Sequence, residues 1–172
     1  MVVSLAATAF AQTPTYNKNL EPLLPIIGKW TTEITLWQDM AGVGKKGDKV
    51  SSVGIYRWTD NGNAIVLTVE QTVHGKSINV TNGLIAWDAL QKKIIGLDAY
   101  IGGGIYQYEL QVQEDKIVLC GHGATAEGVR TETTVEYTNL SKDSLTGQFI
   151  NQREGDKQLP DSPPYTLTRV KE

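Results

Sequence analysis

The chain has 172 residues, 40% hydrophobic and 20% charged, with 16 basic against 19 acidic side chains and a net charge of -3, one domain's worth of sequence with enough apolar content to bury a core. No Lys/Arg run is longer than two, which together with the acidic balance speaks against a phosphate-binding surface and so against a nucleic-acid partner. A single cysteine excludes an internal disulfide, and with only two histidines beside it a protein-built metal site is not expected; no apolar stretch reaches the roughly 18 to 20 residues of a membrane span.

Met1 to Ala11 is apolar or small and ends on Ala9-Phe10-Ala11, the A-x-A form that signal peptidase cuts, before the polar Gln12-Thr13-Pro14. Lacking a basic n-region, residues 1–11 read as a partial signal peptide, which implies export to the periplasm or the extracellular space. The competing reading is an apolar tail on a cytoplasmic protein. Residues 12–172 are then a single domain. Within it, Asn19 is expected to cap a short helical segment that tolerates Pro22 in its first turn and is stopped by Pro25.

After Trp30 the helical period gives way to the strand period. Ten runs follow, near Lys29–Trp37, Val50–Thr59, Ala64–Val73, Ser77–Trp87, Lys92–Ile101, Ile105–Gln113, Lys116–His122, Val129–Asn139, Ser144–Gln152 and Tyr165–Val170. Asp60-Asn61-Gly62-Asn63, His74-Gly75, Gly102-Gly103-Gly104 and Ser141-Lys142-Asp143 separate them as hairpin turns. Two connections are longer. Gln38 to Asp48 is a candidate flap over one end, and Arg153 to Pro164, with three prolines, reads as an ordered surface loop. Short links without a crossover helix imply an all-β, antiparallel, up-and-down barrel of about ten strands rather than a sandwich, because closure removes both sheet edges.

Alternation assigns the faces. Trp30, Thr32, Ile34 and Leu36 point inward from the first strand, and Leu67, Val69 and Gln71 from the third. Ile78, Val80, Asn82 and Leu84 are expected inside from the fourth, and Tyr106, Tyr108, Leu110 and Val112 from the sixth. Val129, Thr131, Thr133, Val135 and Tyr137 follow from the eighth, Leu145, Gly147, Phe149 and Asn151 from the ninth, then Tyr165, Leu167 and Arg169. The second, fifth and seventh strands are ambiguous, and they carry Tyr56, Asp98, Tyr100, Cys120 and His122.

Gly28-Lys29-Trp30 at the start of the first strand, with Arg169 in Leu167-Thr168-Arg169-Val170 of the last, resembles the lipocalin signature, in which a late-strand Arg packs over the Trp ring at one end of the cavity. The same tail looks like the end of the fatty-acid-binding proteins, although Lys171 replaces the tyrosine of their Arg-x-Tyr carboxylate grip. Tyr56-Arg57-Trp58 and Gly83-Leu84-Ile85-Ala86-Trp87-Asp88 are similar to an uncharacterised bacterial family of lipocalin-like, calycin-type barrels. The resemblance implies a fold and no established reaction. Nitrobindins, haem barrels of the same broad group, use a late-strand histidine, and no histidine follows His122 here, so no cofactor is expected.

Ten strands enclose more volume than their side chains fill, so a ligand cavity is expected. Tyr106, Tyr108 and Tyr137 can hydrogen-bond or stack on a ligand, while Thr131, Thr133 and Asn151 supply polar wall groups. Arg169 either grips an anion or stacks on Trp30, and the Gly28–Trp30 pairing favours the structural role. This chemistry suits a small, mostly apolar molecule. The alternative is a calycin-type isomerase, cyclase or decarboxylase acting on a hydrophobic substrate through Tyr56, Asp98, Tyr106 and His122, with His122 as base and Asp98 as its orienter. A structural or interaction module with a filled interior is a third possibility. Whether Asp98 and His122 point inward decides between them.

Overall fold

The computed structural model describes residues 16–171; the proposed leader lies outside them. The strands are β1 (Gly28–Thr35), β2 (Lys49–Trp58), β3 (Ala64–Val73), β4 (Lys76–Asp88), β5 (Lys93–Tyr100) and β6 (Ile105–Val112). They continue as β7 (Ile117–Ala124), β8 (Arg130–Thr138), β9 (Ser144–Glu154), β10 (Lys157–Gln158) and β11 (Tyr165–Arg169). Each of β1 to β9 pairs antiparallel with the next, and β11 bridges β9 and β1. Ten strands thereby close an antiparallel barrel, with β10 as an extra short strand on β9. Closure leaves these ten without a free edge. No helix among the described residues is long and apolar enough to cross a membrane.

One end of the barrel is plugged. Lys18–Ile26 forms a 3-10 helix whose buried residues are Leu20, Leu23 and Ile26. A spacing of three aligns these side chains on one face because a 3-10 helix has 3.0 residues per turn. The cap is Asn17, whose side chain accepts from the Asn19 backbone N–H at 3.0 Å, in place of the expected Asn19. The segment ends at Ile26, one residue past Pro25, as a short stretch should, and both prolines fit within it because 3-10 geometry already supplies the φ their rings demand. These three residues join Trp30, Ile65, Ile85 and Ile117 in the main core cluster.

Two bulges change the expected faces. Between β3 and β4, Val69 opposes Thr81 and Glu70 opposes Asn79, so Val80 is an extra residue. The alternation therefore resets, which buries Thr81 and Ile85 and leaves Leu84 46% exposed and Asn82 exposed, both on the outer face where an inward position was expected. Between β8 and β9, Glu132 pairs with Arg153 and Thr134 with Ile150, so Asn151 and Gln152 together oppose Thr133. Asn151 adopts φ +53° and is exposed, while Gln152 is buried. Val112 and Val129, expected inside, stand at strand ends and are more than a third exposed.

The Arg153–Pro164 connection lies at the surface as expected, with Ser162 anchoring it to β9. Ser162 is buried, its Oγ accepts from the Phe149 N–H, and its own N–H donates to the Phe149 carbonyl. Leu159 donates to the Gln152 carbonyl. The segment thus extends the ladder along β9 where proline denies it regular pairing.

Candidate functional site

The barrel holds a cavity of about 530 Å³, within the size range of small-molecule pockets. Trp30 and the helix plug lie at its closed end, and the mouth lies at the other, where Met40 and Ala41 of the β1–β2 flap line it. The flap is held in shape by a Met40–Gly44 bridge and by Asp39 and Asp48, which accept backbone N–H groups of Lys46 and Lys45.

Six of the chain's seven tyrosines line this space: Tyr56, Tyr100, Tyr106, Tyr108, Tyr137 and Tyr165. Leu67, Val69, Val135, Phe149 and Leu167 supply apolar wall. Thr131 and Thr133 line it as expected, and Gln152 occupies the place given to Asn151. The tyrosine rings lie flat against the sheet because the neighbouring strand carries glycine there. A Cβ at Gly121 would stand 2.7 Å from the Tyr106 ring, and one at Gly147 2.6 Å from the Tyr165 ring. A Cβ at Gly96 would collide with the Tyr108 ring.

The ambiguous strands resolve with Tyr56, Asp98 and Tyr100 inside and Cys120 and His122 outside. Asp98 lines the cavity opposite Gly83 of β4 and Tyr106 of β6. Its Oδ1 accepts from the Tyr108 hydroxyl at 2.9 Å. Burial raises its pKa from 3.8 to about 6, against the lowering effect of the Tyr108 hydrogen bond. Tyr56 and Tyr137 hydroxyls meet at 3.1 Å, and burial pushes both pKa values up. These phenols stay protonated, able to donate as well as accept.

His122 pairs in register with Gln107 and Glu132 and is exposed on the outer face, so the expected His122–Asp98 base and orienter do not meet. Arg169 is likewise absent from the cavity lining. Its guanidinium stacks over Trp30, 4.1 Å from the ring centroid, and donates to the carbonyls of Ile27, Pro25 and Lys142. Trp30 Nε1 donates to the Ile26 carbonyl at 2.8 Å, completing a knot that ties helix, first strand and last strand.

Sequence reasoning missed Gln152 and Leu159. The signal for Gln152 was a polar residue in a strand beside the bulge-prone Asn151, and for Leu159 a lone apolar residue in a proline-rich loop.

No protein-family model and no curated protein matches this chain. Among solved structures, the crystal structure of Rv2717c from M. tuberculosis is similar, with a TM-score of 0.63 over 91% of this chain and 100% of that one at 13% identity. At this identity the likeness is one of fold. It agrees with a closed antiparallel barrel.

Proposed function

We propose that this protein binds a small, mostly apolar ligand inside the barrel. The observation that carries the reading is the 530 Å³ cavity, closed at the plug and open at the flap. Its walls are aliphatic and aromatic with a few hydroxyl and carboxyl groups, the composition that captures apolar molecules while fixing their orientation. An enzymatic reading is less well supported, because the histidine it would lean on stands on the outer face. On the strength of Ala9-Phe10-Ala11 the same reading places the protein outside the cytoplasm, as a lipocalin-like carrier or scavenger.

Native mass spectrometry of the purified protein tests the binding reading, together with titration by 1-anilinonaphthalene-8-sulfonate and by neutral polycyclic aromatics. A co-purifying small molecule, or saturable one-to-one binding of an aromatic probe lost in a cavity-filling Val135→Trp variant that still folds, is the expected result. A wild-type protein that binds none of these probes overturns it.

A further inference from the structure

Among the described residues, the inner cavity carries a carboxylate and no cation. Asp98 is the acidic residue lining its middle, whereas Glu127, Glu132 and Glu154 line the mouth beside Arg153. Arg130 is held by Glu132 at 2.9 Å. Arg169, the cation expected inside, has its guanidinium engaged with Trp30 and with three backbone carbonyls. An anionic ligand would therefore meet Asp98 without a counter-charge in a partly buried space, where like charges repel more strongly than in bulk water.

The environment of Asp98 is built for a donor. An ionised carboxylate offers about four acceptor sites, and among the described residues its hydrogen-bond partner is the Tyr108 hydroxyl on Oδ1. The wall at that point is cleared by Gly83, where a Cβ would overlap the Asp98 carboxylate. The titratable groups near Asp98 on the surrounding strands are phenols: Tyr56 on β2, Tyr106 and Tyr108 on β6, and Tyr137 on β8, with Tyr100 two residues on along β5. Rings of this kind attract a cation through their negative faces, and more so when it is desolvated.

We propose that Asp98 makes this cavity selective for amines, carried as cations on a compact apolar body, with the charged N–H donating to the carboxylate and the nitrogen lying among the tyrosine rings. The proposal rests on the binding function above and assigns the chemical class of its ligand. Charge sets the selectivity and the apolar wall contributes the bulk of the affinity. Because Asp98 has a raised pKa near 6, amine binding weakens as the pH falls through that value, whereas a neutral ligand of the same shape is indifferent.

Three probes on one skeleton test this by titration calorimetry: 1-naphthylmethylamine, 1-naphthalenemethanol and 1-naphthoic acid. At pH 7.5 the amine should bind at least about tenfold more tightly than the alcohol, as a charge-assisted hydrogen bond requires, and the acid most weakly. Asp98→Asn should bring the amine down to the level of the alcohol. If that variant does not fold, the wild-type protein still decides: the amine's affinity should drop between pH 7.5 and pH 5, where the probe stays protonated, and the alcohol's should not. Equal binding of all three probes overturns the role of Asp98 and leaves the binding function standing. Amine binding that does not change with pH or with Asp98→Asn does the same. Failure of all three to bind overturns both.

Discussion

Arg169 and Trp30 face each other twice. They are directly opposed partners of β11 and β1, and the guanidinium lies over the indole at 4.1 Å from its centroid. The stack closes the barrel at the strand pair where the end of the chain meets its beginning. Gly28 is part of the same contact. Its φ of +128° suits glycine, and a Cβ there would stand 2.5 Å from an Arg169 guanidinium nitrogen. The Gly-x-Trp spacing is thus a steric requirement of the Arg–Trp stack.

Arg169→Ala should lower stability by about 1 to 3 kcal/mol, through the lost cation–π contact and the three carbonyls left without their donor. Arg169→Lys should recover only part of that, since an ammonium keeps the charge without the flat surface. Denaturant unfolding measures both. Affinity for neutral aromatic probes should be unchanged once the folded fraction is taken into account, and an Arg169→Ala protein of full stability would contradict the closure role.

Asp98 should make the protein less stable as the pH rises. Its folded pKa, about 6, lies above the ordinary 3.8, so the folded state holds its proton more tightly than the unfolded chain does. The contribution is fully present below pH 3.8, declines through the interval and is lost above pH 6, a difference of up to about 3 kcal/mol. Asp98→Asn keeps an acceptor for Tyr108 and removes the buried charge. Its melting temperature should exceed that of the wild type above pH 7 by several degrees and converge on it near pH 4. A gap that is constant with pH would show that Asp98 does not titrate in this range.

His122→Ala should change stability by no more than about 0.5 kcal/mol, as for other surface substitutions, and leave probe binding intact. A large loss of binding in this variant would argue that His122 reaches the ligand after all, and would reopen the catalytic alternative.

Expression of the chain behind a supplied basic n-region should yield a periplasmic product beginning at Gln12, as the Ala9-Phe10-Ala11 pattern implies. Intact mass and N-terminal sequencing check it. Retention of Met1 in a soluble cytoplasmic pool, with no processed form, would contradict export.

Much of the barrel was legible because alternation and turn chemistry are local. The β3 boundaries read from the sequence match the structure, Ala64–Val73, and the two inner tyrosines of β6 follow from their alternation with Gln107 and Glu109. The contact of Arg169 with Trp30 was legible only through the resemblance of Gly28-Lys29-Trp30 and the late-strand arginine to the lipocalin signature, and the structure places the two opposite each other. A three-residue apolar spacing in Leu20, Leu23 and Ile26 also held the geometry of the plug, although its prolines drew attention instead.

Tertiary structure alone decided the rest. Counting by twos presumes an unbroken register, and one extra residue at Val80 or Asn151 reverses every face beyond it without changing the local composition. The sequence cannot say where such a residue is absorbed, because that depends on how far two strands must slide to close the ring. The faces of β2, β5 and β7 were hidden for a related reason. Their inner positions include Gly54, Gly96 and Gly121, which carry no hydrophobic signal, and at Gly96 and Gly121 the space above is filled by tyrosine rings from β6. The face of Asp98 stays undecided in such a strand. It points inward because Gly83 on the adjacent strand leaves room for a carboxylate and Tyr108 supplies its hydrogen bond, a fit that exists only after the sheet has closed.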